Sequence, residues 1–243
     1  MVDFLKSDSA SCLERLLVVA PHPDDDVLAC GGTIARAWAA GAALRILYVT
    51  DGAASHTGSK TFPAARLRAV REAEAAEGLA ILGLPAAQAH FLREPDTGLA
   101  HSGPAAEVLA ARIAAHLREF APTIVLSPWI RDAHGDHIAA ATAVRRALGL
   151  SGSPAELYEY TVWLDDLGTS SDMPLPHEIE ACAVDVSAFR KRKALAIAAH
   201  RSQLGQLIDD AEEAFTLPEL LLRRADADSE RFFRILPRGR ATA

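Results

Sequence analysis

Short runs of aliphatic and β-branched residues alternate along the chain with longer, alanine-rich segments whose apolar positions recur at the helical period. This alternation is typical of a parallel sheet whose strands are joined by crossover helices. We therefore predict the α/β fold class, as a Rossmann-like three-layer α/β/α domain with a mostly parallel sheet. The predicted strands cover residues 16–20, 44–50, 88–92, 123–127, 157–163, 179–186 and 231–236, and the predicted helices cover residues 27–40, 64–82, 104–120, 137–148, 188–202 and 214–223.

The chain shows no internal repeat, low-complexity tract or linker, so we predict one domain over residues 1–243 with flexible ends at 1–15 and 238–243. Apolar residues make up 50% of the sequence, which is ample for one large core. The net charge of -7 disfavours nucleic acid and anionic lipid surfaces as partners. The three cysteines form no close pair, and we find no signal-like segment or apolar run of membrane length. These features predict a cytoplasmic protein without an integral membrane span.

Two clusters of ionisable residues follow the first and fourth predicted strands. Residues 21–26 read PHPDDD, and residues 132–137 read DAHGDH. In the strand order 3-2-1-4-5 of a doubly wound sheet, strands one and four are neighbours, so the loops after them face one crevice. Carboxylates packed this closely repel one another unless a cation neutralises them. The two clusters together therefore predict a divalent metal site at the carboxyl edge of the sheet.

Two imidazoles and one carboxylate would satisfy a catalytic zinc, which takes three protein ligands and keeps one position for water. His22 and Asp25 can reach the metal from the first loop, and His137 can reach it from the second. Asp24 is then free to take a proton from water, while His134 can stabilise an oxyanion or protonate a leaving amine. These spare groups favour hydrolysis.

Each cluster alone has a simpler interpretation. The first could be a polar turn that caps a helix, because acidic residues complement the positive end of the helix dipole. Asp26 fits that interpretation better than metal binding, either as a cap or as a support for the loop. Asp136 could orient His134 from outside the ligand shell. The placement of both clusters after neighbouring strands is what favours the metal site.

At the level of motifs the chain resembles the LmbE/PIG-L family of zinc-dependent N-acetyl-sugar deacetylases, over about residues 16–203. The motifs that carry the resemblance are VVAPHPDDDVLACGGTIA at 18–35, YVTDG at 48–52, REAE at 71–74, DTGL at 96–99, HGDH at 134–137 and HRSQ at 200–203. The resemblance implies an LmbE-like fold, with His22, Asp25 and His137 as zinc ligands, Asp24 as the general base and His134 as the oxyanion-stabilising or acid residue.

The resemblance further implies that Arg71 and Asp96 help to hold the sugar. From the sequence alone, Arg71 would be an ordinary charge on a helix face and Asp96 a turn residue. Two positions depart from the family pattern: Asp26 stands where Glu is usual, and Ala133 stands where some members have a Tyr that assists the oxyanion.

The resulting expectation is a hydrolase that removes the acetyl group from an N-acetylglucosamine-containing glycoside or conjugate. Its cofactor would be one Zn²⁺ per chain, which other divalent transition metals could replace, and its partner a small N-acetyl amino sugar. Related zinc deacetylases can be oligomers, so this chain could also form a homo-oligomer. The alternatives are a zinc amidohydrolase of a non-sugar amide, a catalytically silent zinc-binding protein, and a magnesium phosphoesterase, which the histidines disfavour. A nucleotide-binding Rossmann domain is also disfavoured, because the turn after the first predicted strand lacks the G-x-G-x-x-G motif that such a domain requires.

Overall fold

The computed structural model describes residues 3–6 and 15–236. Helices and strands alternate along most of this length, as the sequence predicts. The strands are β1 (Arg15–Ala20), β2 (Ala43–Thr50), β3 (His56–Thr57), β4 (Ala89–Glu94), β5 (Ile124–Pro128), β6 (Glu156–Tyr160), β7 (Ile179–Asp185), β8 (Glu213–Ala214) and β9 (Ser229–Ile235). The α-helices are α1 (Asp25–Ala39), α2 (Ala64–Leu82), α3 (Gly103–Phe120), α4 (Gly135–Ser151), α5 (Leu164–Leu167), α6 (Arg190–Ala198) and α7 (Glu219–Ala225).

Within the described residues, the main sheet has seven strands in the order β4-β2-β1-β5-β6-β9-β7. The first five of these run parallel, and β9 is antiparallel to both of its neighbours. This confirms the predicted order 3-2-1-4-5 for the first five long strands. In register, Leu16 of β1 pairs with Leu44 of β2 on one side and with Ile124 of β5 on the other.

Helices cover both faces of this sheet, which confirms the three-layer arrangement. Alternate residues of β1 point to opposite faces. Leu16 and Val18 join the core formed with α1, α2 and α6, whereas Leu17 and Val19 join the core formed with α3 and α4. All four side chains are fully buried. β1 therefore lies between two apolar layers, and the polar loop that begins at residue 21 lies at the carboxyl edge of the sheet.

A buried carboxylate connects β9 to the middle of α1. Glu230 accepts hydrogen bonds from the backbone N–H groups of Gly32 and Thr33, each at 2.8 Å, and from Lys193 Nζ at 2.7 Å. Glu230 and Lys193 are both almost fully buried. The last strand of the sheet, β9, is thus attached to α1, the helix that follows β1.

The structure departs from the predicted elements in three segments. The predicted helix 214–223 is wrong at its start: residues 213–214 form β8, which pairs with β3, and α7 begins only at Glu219, after Pro218. Proline disfavours helical conformation in the residue before it, which explains the late start. The predicted helix 188–202 is divided into a 3-10 turn at 187–189, α6 and a second 3-10 turn at 201–204. The predicted loop 51–63 contains β3.

The predicted flexible ends lie mostly outside the described residues. Phe4 is described and buried, and its ring lies 4.3 Å from that of Tyr158 and 5.2 Å from that of Phe232, measured between centroids. In the described part of the chain, no helix is both long enough and apolar enough to cross a membrane.

Candidate active site

The two polar clusters meet at the carboxyl edge of the sheet because β1 and β5 are adjacent and parallel. The loop after β1 carries residues 21–24 and leads directly into α1, and the loop after β5 leads into α4. Side chains from both loops line one pocket of about 460 Å³. Its polar lining consists of His22, Asp24, Asp25, Ser55, Arg71, Asp96, Thr97, His134, Gln203 and Glu213.

The carboxylate of Asp25 lies between two imidazoles. Its Oδ2 atom is 3.1 Å from His22 Nδ1 and 3.2 Å from His137 Nε2. Apart from this approach of Asp25, the buried Nε2 atom of His137 has no hydrogen-bond partner among residues 3–6 and 15–236. A buried ring nitrogen without a partner is costly unless a ligand occupies it. Two imidazoles and one carboxylate are also the donor set that a catalytic divalent transition metal uses. These three residues therefore fit a metal site.

A third imidazole lies close to the other two. Ligand atoms of His22, His134 and His137 all lie within 4.8 Å of one another. The ring centroid of His134 is 4.9 Å from that of His22 and 5.2 Å from that of His137. The structure thus brings His134 within reach of anything bound between the predicted ligands.

Asp132 fixes the orientation of His137. Its Oδ2 atom lies 2.7 Å from His137 Nδ1, and both side chains are fully buried. A carboxylate on Nδ1 holds the proton there and leaves the lone pair of Nε2 for a metal. The same carboxylate accepts the backbone N–H groups of Val162 and Trp163, at 3.2 and 3.0 Å. We did not predict this role from the sequence, where the signal was only the position of Asp132 at the head of the second cluster.

Two further carboxylates hold the other ring nitrogen of His22. Its Nε2 atom is 3.2 Å from Asp136 Oδ2 and 3.2 Å from Asp96 Oδ1. Burial opposes the charged imidazolium, but the hydrogen bonds of Asp136, Asp25 and Asp96 outweigh it and raise the pKa of His22 well above its ordinary value. The excess of negative charge around this ring is what a bound cation would neutralise.

Asp136 acts on two histidines through different atoms. Its carboxylate contacts His22 and accepts the N–H groups of Thr97 and Leu99, whereas its backbone N–H donates to His134 Nδ1 at 3.2 Å. The carboxylate is thus placed on His22, and His134 is oriented by the backbone of the same residue. Thr97 has a φ of 59°, a left-handed conformation that β-branched residues rarely adopt, and this hydrogen bond helps to hold it.

His134 is held as a neutral donor. Its Nδ1 atom accepts a backbone N–H at the start of α4, so the proton of the neutral ring lies on Nε2. Burial, together with the charges of His137 and His22, lowers the pKa of His134 to about 4. A neutral imidazole with Nε2–H can donate a hydrogen bond to a developing oxyanion.

Asp24 forms a buried ion pair with Arg71. Arg71 Nη2 lies 3.0 Å from Asp24 Oδ2, and the guanidinium also donates to the carbonyl oxygens of Gly52 and Pro23. Burial raises the pKa of Asp24 to about 6, although the Arg71 charge opposes the shift. Arg71 lines the pocket, as expected of a substrate contact, but its hydrogen bonds hold Asp24 and the loop. Asp96 likewise lines the pocket while contacting His22 and accepting the N–H of Ala54.

Two buried polar residues near the site have other partners. Asp26 accepts a hydrogen bond from the Tyr48 hydroxyl at 2.8 Å, and burial raises its pKa to about 7. Asp26 therefore ties the segment after β1 to Tyr48 of β2, which agrees with the expected role of supporting the loop. Gln203, in the HRSQ segment, lines the pocket and donates to Ser202 and Ser55, while its buried Oε1 atom has no partner in the described chain. The sequence motif contains Gln203, but the sequence alone predicts no role for it.

Comparison with known proteins gives consistent matches. The family model described as "PIG-L: GlcNAc-PI de-N-acetylase" matches residues 17–148. The 1D-myo-inositol 2-acetamido-2-deoxy-alpha-D-glucopyranoside deacetylase of Mycobacteroides abscessus is 31% identical, over 93% of this chain and 92% of its own length. A conserved protein from Thermus thermophilus is 29% identical with a TM-score of 0.66, covering 95% of this chain and 100% of that one. The N,N'-diacetylchitobiose deacetylase from Pyrococcus horikoshii shares the fold, with a TM-score of 0.68 at 21% identity, over 92% of this chain and 84% of that one.

Proposed function

Since the chain belongs to the PIG-L family of de-N-acetylases, we propose that it hydrolyses the acetamide of an N-acetylglucosamine-containing glycoside or conjugate, giving acetate and a free amine. The observation that carries the proposal is the position of Asp25 Oδ2, 3.1 Å from His22 Nδ1 and 3.2 Å from His137 Nε2, with Asp24 in the same pocket. Relatives named as deacetylases of N-acetylated glucosides and of diacetylchitobiose support the substrate class.

The metal would be held by His22, Asp25 and His137. When bound there, a divalent ion supplies Lewis acidity, which makes water a stronger acid and draws charge from an amide oxygen. We propose zinc, because two imidazoles and a carboxylate with room for water are typical of catalytic zinc sites. Asp132 keeps the ligating nitrogen of His137 unprotonated, and Asp136 with Asp96 keeps the ring of His22 in place.

The remaining residues divide the proton transfers and the charge stabilisation. Asp24 accepts the proton of the attacking water, and Arg71 holds its carboxylate in one orientation. His134 donates its Nε2–H to the oxygen of the amide as negative charge develops there. When the carbon–nitrogen bond breaks, Asp24 returns the proton to the departing amine. The base and the oxyanion donor thus come from two loops at one edge of the sheet.

The compartment and the partner follow from simpler features. The buried thiols of Cys30 and Cys182 are both free, which supports our proposal of a reducing cytoplasm. The pocket volume of about 460 Å³ is in the range of small-molecule sites, which supports a small sugar conjugate as substrate.

The test is acetate release from a panel of N-acetylglucosaminides, measured after chelation and again after zinc is added back. We expect release only with metal, and its loss in Asp24→Asn with the metal content unchanged. Asp209→Asn, which removes an exposed carboxylate outside the pocket lining, is the matched control. Bound zinc without release from any sugar would contradict the proposal and favour a non-sugar amide or a silent metal-binding protein.

A further inference from the structure

The pocket beside the metal-ligand residues has a second, apolar part to its lining, which we call the apolar wall. Trp163 and Phe215 meet edge to face, with ring centroids 6.0 Å apart and an interplanar angle of 73°. Leu167 continues the wall outward, because its side chain is 62% exposed although it lines the pocket. The wall consists of Leu28, Trp163, Leu167, Phe215 and Leu217.

Backbone hydrogen bonds hold this wall in place. The N–H of Trp163 donates to Asp132, the carboxylate that also orients His137. The N–H of Phe215 donates to the carbonyl oxygen of Ser55 at 3.0 Å. Because the Asp132 carboxylate contacts both His137 and Trp163, this part of the wall is held at a fixed position relative to a predicted metal ligand. The wall is a preformed surface, so a ligand can bind to it without the entropic cost of ordering these side chains first.

The charges around the pocket disfavour an anionic substituent. Among the described residues that line the pocket, Arg71 is the one arginine or lysine, and it is already paired with Asp24. Asp96 and Glu213 add further carboxylates to the lining. A phosphate attached to the sugar would therefore meet like charges without a free arginine or lysine to pair with it. An uncharged substituent meets no such penalty, and the wall offers it apolar contact.

We propose that the apolar wall binds an uncharged alkyl or aryl substituent carried by the substrate, and that Trp163, Leu167 and Phe215 determine this preference. The inference rests on the proposed deacetylation, since it identifies the substrate class of the same site. A large, partly exposed leucine beside a deep tryptophan would bury an extended hydrocarbon substituent progressively along its length. Free N-acetylglucosamine would leave most of this surface in water.

The experiment compares kcat/KM for the methyl, butyl and octyl glycosides of N-acetylglucosamine, in both anomeric forms and below the micelle concentration of the octyl compound. We expect kcat/KM to rise by roughly three- to fourfold for each methylene that the wall buries. Phe215→Ala should reduce the ratio of octyl to methyl activity, and so should Leu167→Ser, which changes an exposed side chain and does not endanger folding. Leu220→Ala, which is 58% exposed on α7 and outside the pocket lining, should leave the ratio unchanged.

A second readout separates this inference from the proposed reaction. Zinc-loaded Asp24→Asn should bind the octyl glycoside more tightly than the methyl glycoside in calorimetry, and bind N-acetylglucosamine 1-phosphate more weakly than either. Acetate release with equal kcat/KM for methyl and octyl glycosides would overturn the wall while leaving the deacetylase proposal intact. Preference for the phosphate would overturn the charge argument. No release from any glycoside would overturn the proposed function itself, and equal binding of the two glycosides would overturn the wall in that case too.

Discussion

The sharpest prediction concerns Asp132, whose carboxylate has hydrogen-bond donors on both sides. Oδ2 lies 2.7 Å from His137 Nδ1, and Oδ1 accepts the N–H of Trp163 at 3.0 Å. The variant Asp132→Asn keeps the shape of the side chain but replaces one acceptor oxygen by an NH₂ group, which can only donate. One of the two sides must therefore lose its acceptor.

Each orientation of the new amide has a definite cost. If the NH₂ group faces His137, the imidazole must accept at Nδ1 and carry its proton on Nε2, the nitrogen intended for the metal. Loss of such an orienting partner typically weakens metal binding by about 10- to 100-fold. If the NH₂ group faces Trp163 instead, the buried Trp163 N–H loses its 3.0 Å acceptor and keeps only the 3.3 Å contact with Oδ2, which lowers the free energy of unfolding by about 1–3 kcal/mol.

Two assays distinguish these outcomes. Competition with a chelator gives the zinc affinity, and urea unfolding of the metal-free protein gives the stability. We expect Asp132→Asn to lose either at least about tenfold in zinc affinity or at least about 1 kcal/mol in the free energy of unfolding. Asp209→Asn, an exposed carboxylate, should change neither. If Asp132→Asn kept both zinc affinity and stability at their original values, Asp132 would not orient His137 and our account of the metal site would be refuted.

Three further predictions test other parts of the molecule. Burial lowers the pKa of His200 to about 3, so as pH falls the imidazole takes up a proton in the unfolded chain before it does so in the folded protein. The free energy of unfolding should therefore fall between about pH 6 and pH 4, and His200→Gln should reduce this pH dependence by about 1.4 kcal/mol per pH unit in urea unfolding. An equal pH dependence in the two proteins would count against a neutral buried ring. A Cβ at Gly32 would lie 2.4 Å from the Val186 side chain, so Gly32→Ala should lower the free energy of unfolding by about 1–3 kcal/mol in thermal unfolding. Gly149→Ala, which has open space around it, should raise the free energy of unfolding by up to about 1 kcal/mol. If the two variants changed stability alike, the close approach of Val186 to Gly32 would be refuted. Arg71→Lys should lower kcat by at least about tenfold with the zinc content unchanged, because an ammonium group cannot hold the Asp24 carboxylate and the two loop carbonyl oxygens at the same time. A change in KM alone would instead indicate that Arg71 binds the substrate.

The fold was predictable because its central strands are strongly patterned. β1 is aliphatic along nearly all of its length and lies between two apolar layers, so its sequence identifies a buried parallel strand. The predicted bounds of α2 agree with the structure, since Pro63 precedes the helix and Gly83, in a left-handed conformation, ends it. By contrast, β3 and β8 have two residues each and carry no periodic signal, so their pairing could not be predicted. The family resemblance is confirmed by the match over residues 17–148.

The candidate site was predictable in its composition but not in its contacts. His22, Asp25 and His137 come together because two clusters follow adjacent strands, which the strand order implies. Their binding of metal stays a prediction. The partner of Arg71 could not be foreseen, because its contact with Asp24 depends on how α2 packs against the loop after β1. Sequence position alone cannot distinguish a guanidinium that holds a sugar from one that holds the base.

The position of β9 has a consequence for how the protein is made. β9 lies between β6 and β7, yet it follows both in the chain. As the polypeptide leaves the ribosome, β6 and β7 emerge before β9, the strand that lies between them in the sheet. The backbone N–H groups of Gly32 and Thr33 likewise emerge before Glu230, the acceptor of their hydrogen bonds. Until β9 arrives, the nascent domain presents unpaired strand edges, which are sites for aggregation and chaperone binding. Slow translation just before residue 229 would prolong this vulnerable interval.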